Sequence, residues 1–172
     1  MIMNTTATAP VGKKRADEDY KGILARIYNE SEIHLLTADY ADGQIVSTFR
    51  WFTPTCYRRE PTHLTRIQIV TYVGQLSYLF GALLGRHGLL PISEDDYLRR
   101  IESDKATFME LKLRFRQFIK PNPKVDIRIA CRRGATGEPV VKHLNKLLVA
   151  PFLFEIGNGA CTGESEAVLI LD

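Results

Sequence analysis

Cysteine is scarce and scattered in this chain of 172 residues, which holds three, Cys56, Cys131 and Cys161. They lie far apart with no metal-ligand spacing, and an odd number argues against a disulfide framework. His34, His87 and His143 add no metal-binding pattern, so neither metal nor cofactor is expected. Free thiols suit a reducing compartment, here the cytoplasm, and the N-terminus lacks the apolar core of a signal peptide. Charge of one sign is also lacking. Lys and Arg number 23 against 20 Asp and Glu, a net +3 with a pI near 8.8. That is too weak an excess to argue for nucleic acid, and no nucleic-acid motif is present. A mildly basic surface does suit an anionic partner. There is no internal repeat and no low-complexity linker. The length fits one domain with a real core, over residues 17–172. Met1 to Ala16, rich in Thr and Ala and then basic at Lys13, Lys14 and Arg15, reads as a mobile tail.

Long apolar runs are few, and one dominates. From Thr62 to Gly85, Leu64, Ile67, Val70, Val73, Leu76, Leu79, Phe80, Leu83 and Leu84 recur every three or four residues, the period of a helix. Ile69, Tyr72 and Tyr78 fill much of the other side, and a helix apolar nearly all round is a buried one. About 20 apolar residues would also span a bilayer. Gln68, Thr71, Gln75 and Ser77 inside the run, with Arg66 and Arg86 near its ends, argue instead for a core helix and no membrane span.

The other segments arrange themselves around it. Asp17 to Asn29 predicts a short amphipathic helix with Tyr20, Ile23, Leu24 and Ile27 inward and an acidic first turn from Asp17 through Asp19. Ile33–Tyr40 and Gln44–Phe52 flank Ala41-Asp42-Gly43, a hairpin signal. Residues 53–62 hold Pro54 and Pro61 and predict an irregular approach to the long helix. Ser93, followed by Glu94, Asp95 and Asp96, caps a second short helix with Tyr97, Leu98 and Ile101 inward. Leu111, Leu113 and Phe115 alternate with Lys112, Arg114 and Arg116. Val125, Ile127, Ile129 and Cys131 alternate with charged residues in the same way, so each run predicts a half-buried antiparallel strand. Residues 134–137 read as a turn, and residues 139–144 are ambiguous. Leu147–Ile156 predicts a central strand bulged or kinked at Pro151. Gly157-Asn158-Gly159 turns the chain into a last strand to Leu171. A hairpin, a long buried helix and then several antiparallel strands is the order of an α+β hot-dog fold, a helix wrapped by a curved sheet. Its open sheet edges predict at least a homodimer.

With these elements in place the chain resembles the FcoT-type family of hot-dog acyl thioesterases, over about Ile23 to Leu171. Three stretches carry the resemblance. The first is Tyr57, five residues, then His63-Leu64, with Gln75-Leu76 and Tyr78 in the following helix. The second is Arg114-Phe115-Arg116 leading through Lys120-Pro121 and Pro123-Lys124 to Ala130-Cys131-Arg132. The third is Val149 and Pro151, Phe154-Glu155, then Gly157 to Gly163-Glu164. The resemblance implies action on a fatty acyl thioester of coenzyme A or an acyl carrier protein. Some members instead add glycine to a 2-enoyl thioester. The family's Tyr and His match Tyr57 and His63. Where the family has Asn, this chain has Thr65 and Gly74, and for a second family Tyr it offers Tyr28 or Tyr40.

In the hot-dog arrangement the N-terminus of the long helix presents free N–H groups and the positive end of a dipole to a developing oxyanion. His63, at its entrance, is the candidate base, able to take a proton from water or from an amine. Tyr57 could bond the thioester carbonyl, Gln75 could hold water or a carbonyl, and Thr65 could replace one hydrogen bond of the family Asn or cap the helix. Leu64, Gly74 and Tyr78 are expected to line the acyl site. Arg58 and Arg132, from two basic clusters, are expected to meet coenzyme phosphates or an acidic carrier. No Asp or Glu lies between Arg66 and Arg86, which counts against a 3-hydroxyacyl dehydratase, since dehydration needs an acid and a base. A non-catalytic module that binds acyl carriers is the reading from outside enzymology.

Overall fold

The computed structural model describes residues 19–135 and 137–171. The tail expected over Met1–Ala16 lies outside them, as does Asp17. The first helix, α1, is shorter than its periodicity suggests and runs Tyr20–Ala25. Its first turn holds no acidic residue. Asp19 acts one position earlier, as the N-cap that accepts the Gly22 N–H at 2.8 Å. Ile23 and Leu24 are buried as the pattern requires. A 3₁₀ turn at Glu30–Glu32 leads into strands β1 (Leu35–Ala41) and β2 (Gln44–Arg50). Their turn places Asp42 at φ 49° and Gly43 at φ 70°. Two positive φ values in a two-residue loop match the right-handed twist of the strands, and Gly supplies one without steric cost.

Helix α2 spans Arg66–Arg86 and α3 spans Glu94–Glu102. Ser93 caps α3 by accepting the Asp96 N–H, and Tyr97, Leu98 and Ile101 are buried. The later strands are β3 (Ala106–Phe115), β4 (Lys124–Cys131), β5 (Lys142–Leu144), β6 (Leu147–Ile156) and β7 (Cys161–Ile170). The sheet is antiparallel with the order β1-β2-β4-β6-β7-β3, and β5 lies beside β6. The ambiguous stretch before Leu144 therefore ends in a three-residue strand, exposed throughout. On β4, Val125, Ile127, Ile129 and Cys131 are buried and Asp126 and Arg128 are exposed, the alternation of a one-sided strand.

Pro151 produces no kink. Strand β6 pairs with β7 from Leu147–Ile170 to Ile156–Cys161 without a register shift. The Pro151 carbonyl accepts the Arg132 N–H at 3.1 Å. The N–H and C=O of one strand residue face the same neighbour, so the missing donor points into the gap where β4 has ended and β5 has not begun. Proline is tolerated there because no ladder bond is lost.

This sheet wraps α2: Leu76, Leu79, Phe80 and Leu83 share one core with Ile45, Phe49, Ile127, Ile129, Phe152 and Phe154. Phe80 meets Phe152 edge-on at 5.4 Å. The arrangement is the hot-dog fold. By length and composition α2 could cross a membrane, yet 72% of its apolar window is buried inside the protein. All-round burial holds only for its second half, where every residue from Leu79 to Gly85 is buried. There α3 covers it, and a Cβ on Gly81 would sit 2.2 Å from the Tyr97 ring, so only glycine admits that contact. The first half is covered on one side. Ile67 and Val70 are 44% and 54% exposed.

Candidate active site

The approach to α2 is an exposed loop pinned at its end. The Leu64 N–H donates to the Ile119 carbonyl at 2.7 Å. Thr65 is extended and caps the helix. Its hydroxyl accepts the Gln68 N–H at 3.3 Å and donates to Gln68 Oε1 at 3.0 Å, while its own N–H donates to the same Oε1 at 2.9 Å. Gln68 Nε2 in turn donates to the Phe52 carbonyl at 2.6 Å. This reciprocal box satisfies two of the donors that a helix start leaves open. Of the two uses open to Thr65, the structure shows the cap.

The box leaves the N–H groups of Arg66 and Ile67 without an acceptor among the described residues. Both residues are exposed, and no carboxylate stands in the first turn to neutralise the positive dipole end. His63, Tyr57 and Arg58 lie on the adjoining loop, all exposed. The His63 ring lies 5.3 Å from the Phe118 ring, and its Nδ1 is 3.4 Å from Thr62 Oγ1. Residues 57–67 thus carry, along one exposed stretch of chain, an imidazole, a phenol, a guanidinium and two free backbone donors. A carbonyl placed against those donors would have its oxygen polarised, with a base beside it.

Other sequence candidates fall elsewhere, each for a visible reason. Gln75 is fully buried and acts as a tie, its Oε1 accepting the His34 N–H at 3.0 Å and its Nε2 donating to the Glu32 carbonyl at 2.6 Å. A buried amide must find such partners, and these lie in the connection to β1. The Leu64 side chain is in the core, not on an open wall. Arg132 is remote from α2's start. Strand β4 leaves the site end at Lys124, paired with Arg50, and reaches the β1–β2 turn at Cys131. Eight residues at the strand rise put Arg132 about 26 Å from Lys124. It lines an outer groove of about 150 Å³ with Glu110, Lys112, Glu164 and Glu166. The two basic clusters therefore do not share one site.

Gly74 sits on the half-covered side of α2, where an added Cβ would lie 3.7 Å from the Tyr28 hydroxyl. Tyr28 also packs near Tyr78, ring centres 6.1 Å apart. Burial raises the pKa of both phenols, so they stand as neutral donors at physiological pH. Tyr78 then lines a small apolar cavity of about 20 Å³ with Gly81, Tyr97, Ala106, Ala150 and Phe152. Of the two substitutes for a second family Tyr, Tyr28 is the one beside α2's Gly74. Tyr40 stacks on His87 at 4.7 Å, beyond the helix's other end.

His34 is the residue that sequence reasoning passed over. Its ring stacks on Phe52 at 3.9 Å and 2° and meets Tyr72 edge-on at 6.3 Å. Nδ1 is buried with no hydrogen-bond partner among the described residues. Burial, with Arg50 nearby, holds the imidazole below its ordinary pKa, and Glu32 opposes the shift. No spacing in the sequence marks His34, because its neighbours come from β2's end and from α2. Among the described residues no group of His, Cys, Asp and Glu could hold a metal ion.

No family model and no curated protein matches the sequence. Solved structures do match its fold. A Pseudomonas aeruginosa thioesterase, crystallised as a glutamine-to-alanine mutant, is 10% identical over 91% of this chain and 96% of that one, with a TM-score of 0.52. Thioesterase superfamily member 2 of Mus musculus is 8% identical over 89% and 95%, also with a TM-score of 0.52. At such identities the likeness is one of fold, and the chain has the hot-dog fold seen in thioesterase-superfamily structures.

Proposed function

We propose that this chain hydrolyses a fatty acyl thioester at the N-terminus of α2. The observation that carries the reading is the pair of free N–H groups at Arg66 and Ile67, opening a 21-residue helix directly after the exposed loop that holds His63 and Tyr57. The thioester oxygen accepts from these N–H groups, which are worth most as its charge develops. His63 takes a proton from water as the water oxygen bonds to the carbonyl carbon. Collapse of the adduct breaks the C–S bond, and the departing thiolate recovers the proton. Tyr57 donates to the carbonyl oxygen or to the leaving sulfur. The FcoT-type resemblance supports this assignment, with Tyr28 beside Gly74 as its second phenol. The thiol is that of coenzyme A or an acyl carrier protein.

The working unit in this reading is at least a homodimer. Ile67 and Val70 stand exposed on the helix that opens the site, and β3 is an edge strand with one ladder unpaired. A second copy covering them would supply the wall that the first half of α2 lacks.

The test is release of free thiol from acyl-CoA and carrier-bound acyl thioesters. Wild type should release it, and His63→Ala should lose about 10²–10⁴-fold in kcat. Turnover undiminished in His63→Ala removes His63 from the mechanism. A wild type that releases no thiol, yet gains the mass of glycine on a 2-enoyl thioester, assigns conjugate addition instead. Binding with no covalent change returns the non-catalytic module.

A further inference from the structure

Two segments meet at the entrance to α2, residues 53–65 and residues 116–124. The Leu64–Ile119 bond at 2.7 Å and the His63–Phe118 contact at 5.3 Å tie them side by side. Together they carry Arg58, Arg59, Arg116, Lys120 and Lys124 against one carboxylate, Glu60, an excess larger than the +3 of the whole chain. All five cations are exposed, and none is paired with a carboxylate among the described residues. Phe118 stands among them 81% exposed, between Arg116 and Lys120 in sequence. None of these residues lines either cavity described above.

We propose that this ledge docks an acidic protein that carries the acyl chain as a thioester, with Phe118 as the apolar anchor and the cations as its rim. The proposal rests on the hydrolase reading for where the thioester must arrive. Small anionic ligands are held in concave sites that enclose most of their surface. Exposed cations on two segments around a projecting aromatic ring match instead the anatomy of a protein interface, a buried anchor with a charged border. Arginines and lysines that hold no carboxylate of their own break no ion pair on binding. They are therefore free to meet an acidic face and speed its arrival.

The experiment measures binding of a palmitoyl-loaded acidic acyl carrier protein to the whole protein by surface plasmon resonance, beside turnover of palmitoyl-CoA. Wild type should bind, and its affinity should fall as salt is raised. The Arg59→Glu, Arg116→Glu double variant should weaken Kd by about tenfold or more while palmitoyl-CoA turnover holds. Phe118→Ala should weaken Kd at all salt concentrations. No carrier binding by wild type overturns the proposal, as does an unchanged Kd in the double variant. Equal losses on carrier and on palmitoyl-CoA also overturn it, assigning the cations to coenzyme phosphates. Carrier binding and thiol release are separate readouts, so a bound carrier with no thiol release would count against hydrolysis alone.

Discussion

At the scale of single residues, His34 sets a pH dependence that lies outside the proposed reaction. Its ring is neutral in the fold because burial disfavours the charged form and Arg50 repels it. An imidazole in the unfolded chain titrates near about 6.5, so the unfolded state binds the proton first. The fold is at full strength above that pH and weakens as pH falls below it toward the lower folded pKa. Urea midpoints for wild type should therefore decline from pH 7 to 5 more steeply than those of His34→Phe. Parallel curves would show that the stacked ring is not the sensor. Position along the chain decided which residues could be read in advance. His63 stands out in the sequence because the apolar period of the next helix points at its own entrance, Tyr57 only through the family resemblance, and the structure puts both on the exposed loop before α2. The tie made by Gln75 does not stand out, since the groups it bonds, at Glu32 and His34, lie about forty residues upstream. Arg132 was misplaced because an alternating strand says which face a residue takes but not which end of the sheet it reaches.

At the scale of elements, caps and alternation proved the most readable signals. Ser93 and the Asp42-Gly43 turn rest on chemistry local to a few residues, and β4 rests on a strict period of two. The boundaries of α2 were harder. Its apolar pattern continues through Leu64, yet Thr65 is extended and the helix begins at Arg66. The box formed with Gln68, not hydrophobicity, fixes that start and so fixes which N–H groups remain free. Gln75 performs a second joining task, holding the connection into β1 against the helix. Gln75→Leu keeps volume but strands the His34 N–H and the Glu32 carbonyl. It should destabilise by about 1–3 kcal/mol in denaturant unfolding. A loss near zero would mean that water replaces the tie.

At the scale of the molecule, the half-covered helix predicts assembly. Sedimentation of the wild type should give a mass of at least two chains, and Val70→Arg, a charge on the exposed stripe, should shift it toward one. A wild type that sediments as one chain would refute the second copy. The sheet's strand order carries a further consequence, for the sequence of events during synthesis. Strand β7 follows every other strand along the chain yet sits inside the sheet, between β6 and β3. Strand β3 leaves the ribosome about fifty residues before the partner it needs, and until then both its edges are bare. The β6–β7 hairpin, ten pairs closed by a short turn, forms quickly once its residues are made. Capture of the waiting β3 is the non-local step, so it sets the pace of folding. In that interval the nascent chain is most exposed to pairing with a stranger.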